Sequence, residues 1–200
     1  MPTRGDIIVA DSNNLWSKLA KGTQNKILNM GANDPAWTDA PTLASLISTQ
    51  VRNSMASVYL SVDTPNIADA SWTKVPLDSE TFDIGGNFDT TNKRYVAPVT
   101  GYYQVSWCVG FACQSARVFD IISSMLYVNG AAHSQGSQTR WASYYPANGM
   151  SSGSALALVT AGQYIELYGY ISTTDNSANG VFSSTSGRAS TRMDINLLTT

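Results

Sequence analysis

NFDTTNKRYVAPVTGYY, residues 87–103, constrains the fold of this chain more than any other stretch. Residues 89–93 are turn formers, and residues 94–97 have the character of a short strand. Pro98 interrupts that strand because its nitrogen has no hydrogen to donate to a β-ladder. A Thr-Gly corner follows, and a long aromatic strand continues from it. The stretch therefore predicts two consecutive strands joined at a corner that a proline marks.

Residues 101–112 show the clearest strand pattern, because apolar and polar side chains alternate along them. One face of this strand is predicted to carry Tyr103, Val105, Trp107, Val109 and Phe111. Shorter strand-like segments separated by Gly, Asn, Ser and Pro recur throughout residues 56–200. The predicted strands span residues 57–62, 71–75, 80–84, 94–97, 101–112, 121–128, 154–159, 163–171, 180–183 and 192–198. They indicate an all-β fold whose C-terminal part is a β-sandwich or jelly roll.

Residues 1–40 read as a small β module. An apolar run and a partly alternating segment flank the turn formers at residues 11–14, which predicts a β-hairpin. A second turn is predicted at residues 31–35. The zone is too short to bury its two tryptophans and its leucines and isoleucines by itself. We therefore expect it to pack against a partner or against copies of itself.

Residues 41–55 are predicted to form a short helical or extended neck. Thr42 is a suitable helix N-cap. One helical face would carry the apolar side chains of Leu43, Leu46, Ile47, Val51 and Met55. Two interpretations stay open, a helix packed on its own subunit and a three-helix neck on a trimer axis.

The composition argues against nucleic-acid binding and membrane insertion. Only 13% of the residues are charged, against about 25% in an average domain, and the formal net charge is −2. Because Lys and Arg do not cluster, electrostatic binding to a nucleic-acid backbone is not expected. No apolar run approaches the roughly 18 residues of a membrane span, and the N-terminal segment lacks a signal-peptide core.

The sequence also predicts no catalytic site, no cofactor and no metal. His133 is the single histidine, and the Gly-x-Ser-x-Gly pattern of serine hydrolases does not occur. Glu80 and Glu166 are the two glutamates, far apart in the chain, so a paired-carboxylate cleft is not indicated. Cys108 and Cys113 lie five residues apart in one predicted strand, on opposite faces, which predicts two free thiols. A calcium ion on a trimer axis stays open as an alternative.

Residues 56–200 resemble the globular heads of complement-q and tumour-necrosis-factor-like jelly rolls. The matching positions are Asn87, Phe88 and Asp89, with residues 94–98, 101–103, 126–130, 156–158, 161–167 and 193–198. The resemblance implies a homotrimer that binds other molecules and does not transform them. The trimer interface is predicted at Tyr102, Tyr164, Tyr168, Tyr170 and Leu197.

Residues 1–40 resemble a module of tailed-bacteriophage fibres and appendages. The matching positions are Gly5, Asp6, Ile7, Ile8, Asp11, Leu15, Trp16, Lys18, Leu19, Gly22, Thr23, Ile27, Leu28, Pro35, Ala36 and Trp37. The resemblance implies a surface-exposed virion protein, made in the host cytoplasm, that contacts other virion proteins of the capsid or tail. Those contacts are predicted at Ile7, Ile8, Leu15, Trp16, Leu19 and Trp37. Because the module occurs once, a short appendage is predicted.

Residues 131–150 are predicted to form a long loop and the main recognition surface. Its candidate ligand-binding residues are His133, Gln138, Arg140, Trp141, Tyr144 and Tyr145. Aromatic faces and polar donors on a rigid β-scaffold suit a host cell-surface glycan or protein. The alternative is that the aromatic residues of this loop pack against the body or a neighbouring subunit.

These features favour a trimeric phage appendage whose head mediates host-surface binding. Two alternatives stay open. The first is a capsid head fibre or decoration protein with a purely structural role, and the second is a soluble trimeric lectin.

Overall fold

The computed structural model describes residues 7–10, 16–19, 26–30, 35–39, 54–113, 119–142, 146–174, 180–184 and 191–199. The chain divides into two compact units, Met1–Thr49 and Gln50–Thr200. Every regular element among the described residues is a β-strand, which confirms the predicted all-β class. None of the described elements is a helix with the length and apolarity needed to cross a bilayer.

The N-terminal unit contains two antiparallel strand pairs. Strand β1 (Ile7–Ala10) pairs with β2 (Trp16–Leu19), and the turn predicted at residues 11–14 lies outside the described residues. Strand β3 (Lys26–Met30) pairs with β4 (Pro35–Asp39). The predicted hairpin is thus confirmed, and a second one follows it.

The second unit contains thirteen described strands. They are β5 (Met55–Tyr59), β6 (Thr64–Ile67), β7 (Ser71–Lys74), β8 (Ser79–Ile84), β9 (Phe88–Asp89), β10 (Arg94–Val96), β11 (Gly101–Cys113), β12 (Phe119–Val128), β13 (Ala131–Arg140), β14 (Asn148–Val159), β15 (Tyr164–Thr173), β16 (Gly180–Phe182) and β17 (Arg192–Thr199). Each of the ten predicted strands overlaps one of them. Strands β6, β9 and β13 were not predicted.

The strands form two sheets. The β12 sheet has the order β13-β12-β15-β10-β9, and β7 lies beside β15, where the Val75 amide donates to the Leu167 carbonyl at 2.8 Å. The β11 sheet has the order β6-β16-β11-β17-β5-β8, and β14 pairs with the other edge of β11. Non-consecutive strands are neighbours in both sheets, as expected of a jelly roll.

The core lies between the two sheets. All five residues predicted for one face of β11 are buried in it, so the predicted alternation is confirmed. The Phe111 ring packs edge-on against Phe119, with centroids 6.5 Å apart, and lies 5.8 Å from Phe182. Burying a large apolar side chain is worth about 1.5–3 kcal/mol, so this aromatic cluster is a major contribution to stability.

The predicted loop at residues 131–150 is wrong, because residues 131–140 form β13 and β14 begins at Asn148. Asn129 and Gly130 have φ angles of 50° and 80°, and this turn returns the chain directly alongside β12. Strand β13 is rich in Ser, Gln and Thr, and most of its residues are exposed or half-buried. Such a strand lacks the apolar alternation by which strands are recognised in a sequence.

The predicted neck falls mostly outside the described residues. Met55, its last residue, is the first residue of β5 and pairs with Asn196 and Ile84. Strand β5 of the head therefore includes Met55, the last residue of the predicted neck. Cys108 is a free thiol, half-buried on β11, and it forms no bridge with Cys113. Burial raises the pKa of the Cys108 thiol.

Candidate assembly and ligand surfaces

The outer face of the β11 sheet exposes large apolar side chains. Tyr102 on β11 is 45% exposed, and Leu158, its partner on β14, is 57% exposed. Leu156, two residues along β14 on the same face, is 51% exposed, and Leu198 on β17 is 59% exposed. We call these four residues the Tyr102 face. Exposed apolar side chains gathered on one side of a protein mark an interaction surface.

Polar side chains beside the Tyr102 face bond to one another. The Gln104 amide donates to the Ser154 hydroxyl at 2.7 Å, and Ser106 lies 3.3 Å from the same hydroxyl. Farther across the sheet, Ser57 donates to Asp194 at 2.6 Å. These groups can be covered by a second protein surface without losing hydrogen bonds, which lowers the cost of desolvation.

The five predicted trimer-interface residues do not form one surface. Tyr102 lies on the Tyr102 face, whereas Leu197 is partly buried and packs against the core. Tyr164, Tyr168 and Tyr170 lie on the outer face of the β12 sheet, the opposite side of the sandwich. Alternation along a strand shows that its residues face outward, but it does not show which sheet the strand joins.

Aromatic and ionic pairs cover much of the outer face of the β12 sheet. The rings of Tyr127 and Tyr168 lie 4.1 Å apart, and the Arg94 guanidinium lies 4.6 Å above the Tyr164 ring. The contacts tie β12, β15 and β10 together through their outward side chains.

A nearly buried carboxylate on this face has a cation partner. Lys74 donates to Glu166 at 2.5 Å and to the Asn92 carbonyl at 2.6 Å. The Tyr168 hydroxyl donates to the other Glu166 oxygen at 3.4 Å. Burial and, after it, the Glu166 carboxylate raise the pKa of Tyr168, so its phenol stays a neutral donor at neutral pH.

A cleft of about 210 Å³ opens on the same outer face. Its lining residues come from four strands and are Trp72, Ile121, Ser123, Gln135, Gln138 and Tyr170. We call it the Trp72 cleft. Ser123 on β12 stands opposite Tyr170 on β15 and Gln138 on β13. Its short side chain leaves a hollow between longer neighbours, which explains why the cleft lies there.

The wall and rim of the Trp72 cleft are held in place by contacts within the chain. The Trp72 and Tyr170 rings lie 5.2 Å apart with an interplanar angle of 48°. The Gln135 amide nitrogen donates to the Ser123 hydroxyl at 3.0 Å and to the Gln138 side-chain oxygen at 3.1 Å. The cleft therefore combines a tilted aromatic wall with a rim of uncharged amides.

The structure places the predicted ligand-binding residues apart. Gln138 lines the Trp72 cleft, and His133 is exposed elsewhere on β13. Arg140 is exposed and lies 3.7 Å from Asp120. Trp141 is half-buried and packs against the core. Tyr144 and Tyr145 lie outside the described residues.

Sequence reasoning missed most of the cleft. Trp72, Ile121 and Ser123 are not among the predicted candidates. Gln135 lies within the predicted recognition surface but not among its candidate ligand-binding residues, and Tyr170 is predicted at subunit contacts. Trp72 lies on a short strand far from β13 in sequence. The pairing order of the strands brings it near Gln138, and no local pattern carries that information.

A hydroxyl network joins the sheets behind the cleft. The buried Trp107 indole donates to Ser124 at 2.8 Å, Ser124 and Ser151 are 2.7 Å apart, and Ser151 donates to the Ser137 carbonyl at 2.5 Å. Because the single proton of Ser151 goes to that carbonyl, Ser124 is the donor to Ser151. The network satisfies the indole and fixes the strand segment that carries Gln138.

The predicted attachment residues lie on the N-terminal strands or just beside them. Ile7 and Ile8 are in β1, Trp16 and Leu19 in β2, and Trp37 in β4; Leu15 lies outside the described residues. Ile7 is paired with Leu19. Their role in attachment stays a prediction. In the part of the chain that the structure describes, no three His, Cys, Asp or Glu side chains cluster closely enough to hold a metal ion.

We expect Trp141→Ala to lower stability and to leave binding at the Trp72 cleft unchanged, because Trp141 does not line that cleft. The indole packs against the core beside Gly149, and its loss should cost about 1–2 kcal/mol because the side chain is only partly buried. Urea unfolding measures the loss. His133→Ala on the exposed edge strand is the control and should stay within about 0.5 kcal/mol of the parent. Loss of binding at unchanged stability would contradict this expectation.

Comparison with solved structures identifies the fold. The globular domain of zebrafish complement 1qA protein superposes with a TM-score of 0.50 at 9% identity, covering 72% of this chain and 97% of that one. Eiger TNF from S. frugiperda superposes with a TM-score of 0.53 at 12% identity, covering 72% and 92%. No family model matches this sequence, and no curated protein matches it. The chain therefore has a jelly-roll fold of the complement-q and tumour-necrosis-factor type.

Proposed function

We propose that this protein is a homotrimer whose jelly-roll head binds other molecules without catalysis. The Tyr102 face is the observation that carries the proposal, because it exposes four large apolar side chains on one side of the β11 sheet. A trimer is the assembly that the complement-q resemblance implies. Full burial of one large apolar side chain contributes about 1.5–3 kcal/mol, so covering the exposed half of each residue on the Tyr102 face contributes roughly half of that, and each of three copies would contribute the same set.

Molecular mass in solution tests the assembly. The full chain should have three times the 21.4 kDa mass of one copy by light scattering. Combining Leu156→Asp with Leu158→Asp places two charges on the Tyr102 face and should yield folded monomer. Val62→Asp is the matched control, because Val62 is 67% exposed and lies outside that face. A parent chain that is monomeric at micromolar concentration would overturn the proposal.

The biological setting we propose is a short appendage on a tailed-phage virion. The support is the fibre-like pattern of residues 5–37. Residues 1–40 would attach the protein to other virion proteins, and the head would face outward. Gold-labelled antibodies against the chain should decorate intact particles, and unlabelled particles would contradict the assignment.

Host recognition is the role we favour over a purely structural one on the capsid. The Trp72 cleft favours recognition, because its aromatic wall and amide rim suit a small ligand. Purified full chain should compete with phage adsorption to host cells. Undiminished adsorption at saturating protein would favour the capsid head fibre or decoration role. The soluble-lectin alternative predicts sugar binding by a protein that virions do not carry.

A further inference from the structure

We propose that the Trp72 cleft binds one ring of a neutral saccharide. The inference rests on the proposed binding function of the head, and it assigns that function to a site built entirely by one chain. The site differs from the predicted one at residues 131–150, from which it keeps only Gln135 and Gln138.

The aromatic wall provides the apolar part of such a site. Trp72 and Tyr170 both line the cleft, and their rings are inclined at 48° to each other with centroids 5.2 Å apart. Ile121 extends this apolar lining along β12. A pyranose ring has apolar C–H faces and polar edges, so it can stack on an aromatic wall while its hydroxyls point toward polar groups.

The amide rim provides the polar part. The two hydrogen bonds from the Gln135 side chain use both protons of its nitrogen and one lone pair of the Gln138 oxygen. Among the hydrogen bonds of the described residues, the Gln135 oxygen and the Gln138 nitrogen are not engaged. They supply one acceptor and one donor on the rim of the cleft. A sugar hydroxyl both donates and accepts, so adjacent hydroxyls can bond to both groups.

The charge around the cleft favours a neutral ligand. None of its lining residues is acidic or basic. The charged side chains on adjoining strands are paired with each other, Lys74 with Glu166 and Arg140 with Asp120. A sulfated, phosphorylated or carboxylated sugar would find no cation in the lining to offset its lost hydration.

The geometry favours a sugar ring over a peptide. Extended peptides commonly bind by adding to a free sheet edge. The cleft lies over β12 and β15, and each of these strands is already paired on both sides. The volume of about 210 Å³ is below the roughly 300–1,000 Å³ of sites for drug-sized ligands, so it suits a single ring.

Saturation-transfer NMR on the full chain tests the inference. The probes are glucose, galactose, mannose, N-acetylglucosamine and rhamnose, each at about 20 mM. At least one should receive saturation from aromatic protons, with a dissociation constant of about 1–10 mM for a ligand of so few atoms. Trp72→Leu, which keeps apolar bulk but removes the ring, and Gln138→Ala should each weaken binding at least tenfold. His133→Ala, outside the cleft on β13, should bind like the parent.

Three results would overturn the inference. The first is no saturation transfer to any of the five sugars, and the second is transfer that both cleft variants retain. The third is binding of glucuronic acid as tight as that of the neutral sugars. Light scattering on the same samples separates this inference from the proposed assembly. A trimer that binds none of the sugars contradicts the saccharide site alone, whereas a monomer that binds one contradicts the assembly alone.

Discussion

Replacing Phe111 with alanine will lower the free energy of unfolding by about 3–5 kcal/mol, the cost of emptying a large buried aromatic site. Phe111 is 1% exposed and contacts both Phe119 and Phe182. The three rings come from β11, β12 and β16, so the cavity would weaken contacts between the two sheets. Urea unfolding at one fixed protein concentration measures the loss, because the stability of an oligomer depends on concentration.

Phe111→Leu is the graded control for this prediction. It keeps most of the apolar volume and should cost clearly less than the alanine variant. Equal losses for the two variants would show that ring contacts, and not cavity volume, dominate the site. A loss below about 1 kcal/mol for Phe111→Ala would contradict the central position of this residue in the core.

Replacing Gly153 with alanine will destabilise the head by about 3 kcal/mol, at the upper end of the cost of overpacking. An added Cβ at Gly153 would overlap the Trp107 ring and would lie 2.9 Å from the Gly136 backbone. Trp107 cannot move away freely, because its indole donates to buried Ser124. The backbone of β13 would have to shift, and the hydroxyl network with it.

Ser152→Ala is the control for Gly153→Ala. It alters the neighbouring residue on β14, whose side chain is exposed. Its cost should be within about 0.5 kcal/mol of zero. The midpoint of thermal unfolding, measured for both variants at the same concentration, distinguishes them. A parent-like midpoint for Gly153→Ala would mean that β13 and β14 can separate without cost.

The strands of the head were largely predictable because burial of one face enforces a two-residue period. Residues 101–112 carry that period over their whole length, and β11 matches them almost to the residue. The failure at β13 has the same origin. An edge strand with two largely exposed faces can be built from Gln, Ser and Thr, so its sequence resembles a loop.

The functional surfaces were less predictable. The alternation along their strands places both Tyr102 and Tyr170 on outward faces, yet the two residues lie on opposite sides of the sandwich. Leu197 lies one residue from exposed Leu198 and packs against the core instead. A strand pattern distinguishes the two faces of one strand, whereas an interface depends on which strands are neighbours.

The residues alone determined the all-β class, a sandwich or jelly-roll head, the N-terminal hairpin and the inward face of β11. Those features follow from side-chain alternation and turn chemistry, which act over a few residues. The Trp72 cleft arises only when β7, β15, β12 and β13 become neighbours. The Tyr102 face arises only when β14, β11 and β17 become neighbours. Long-range strand order is set by packing of the whole core, so it decides which distant side chains meet on a surface.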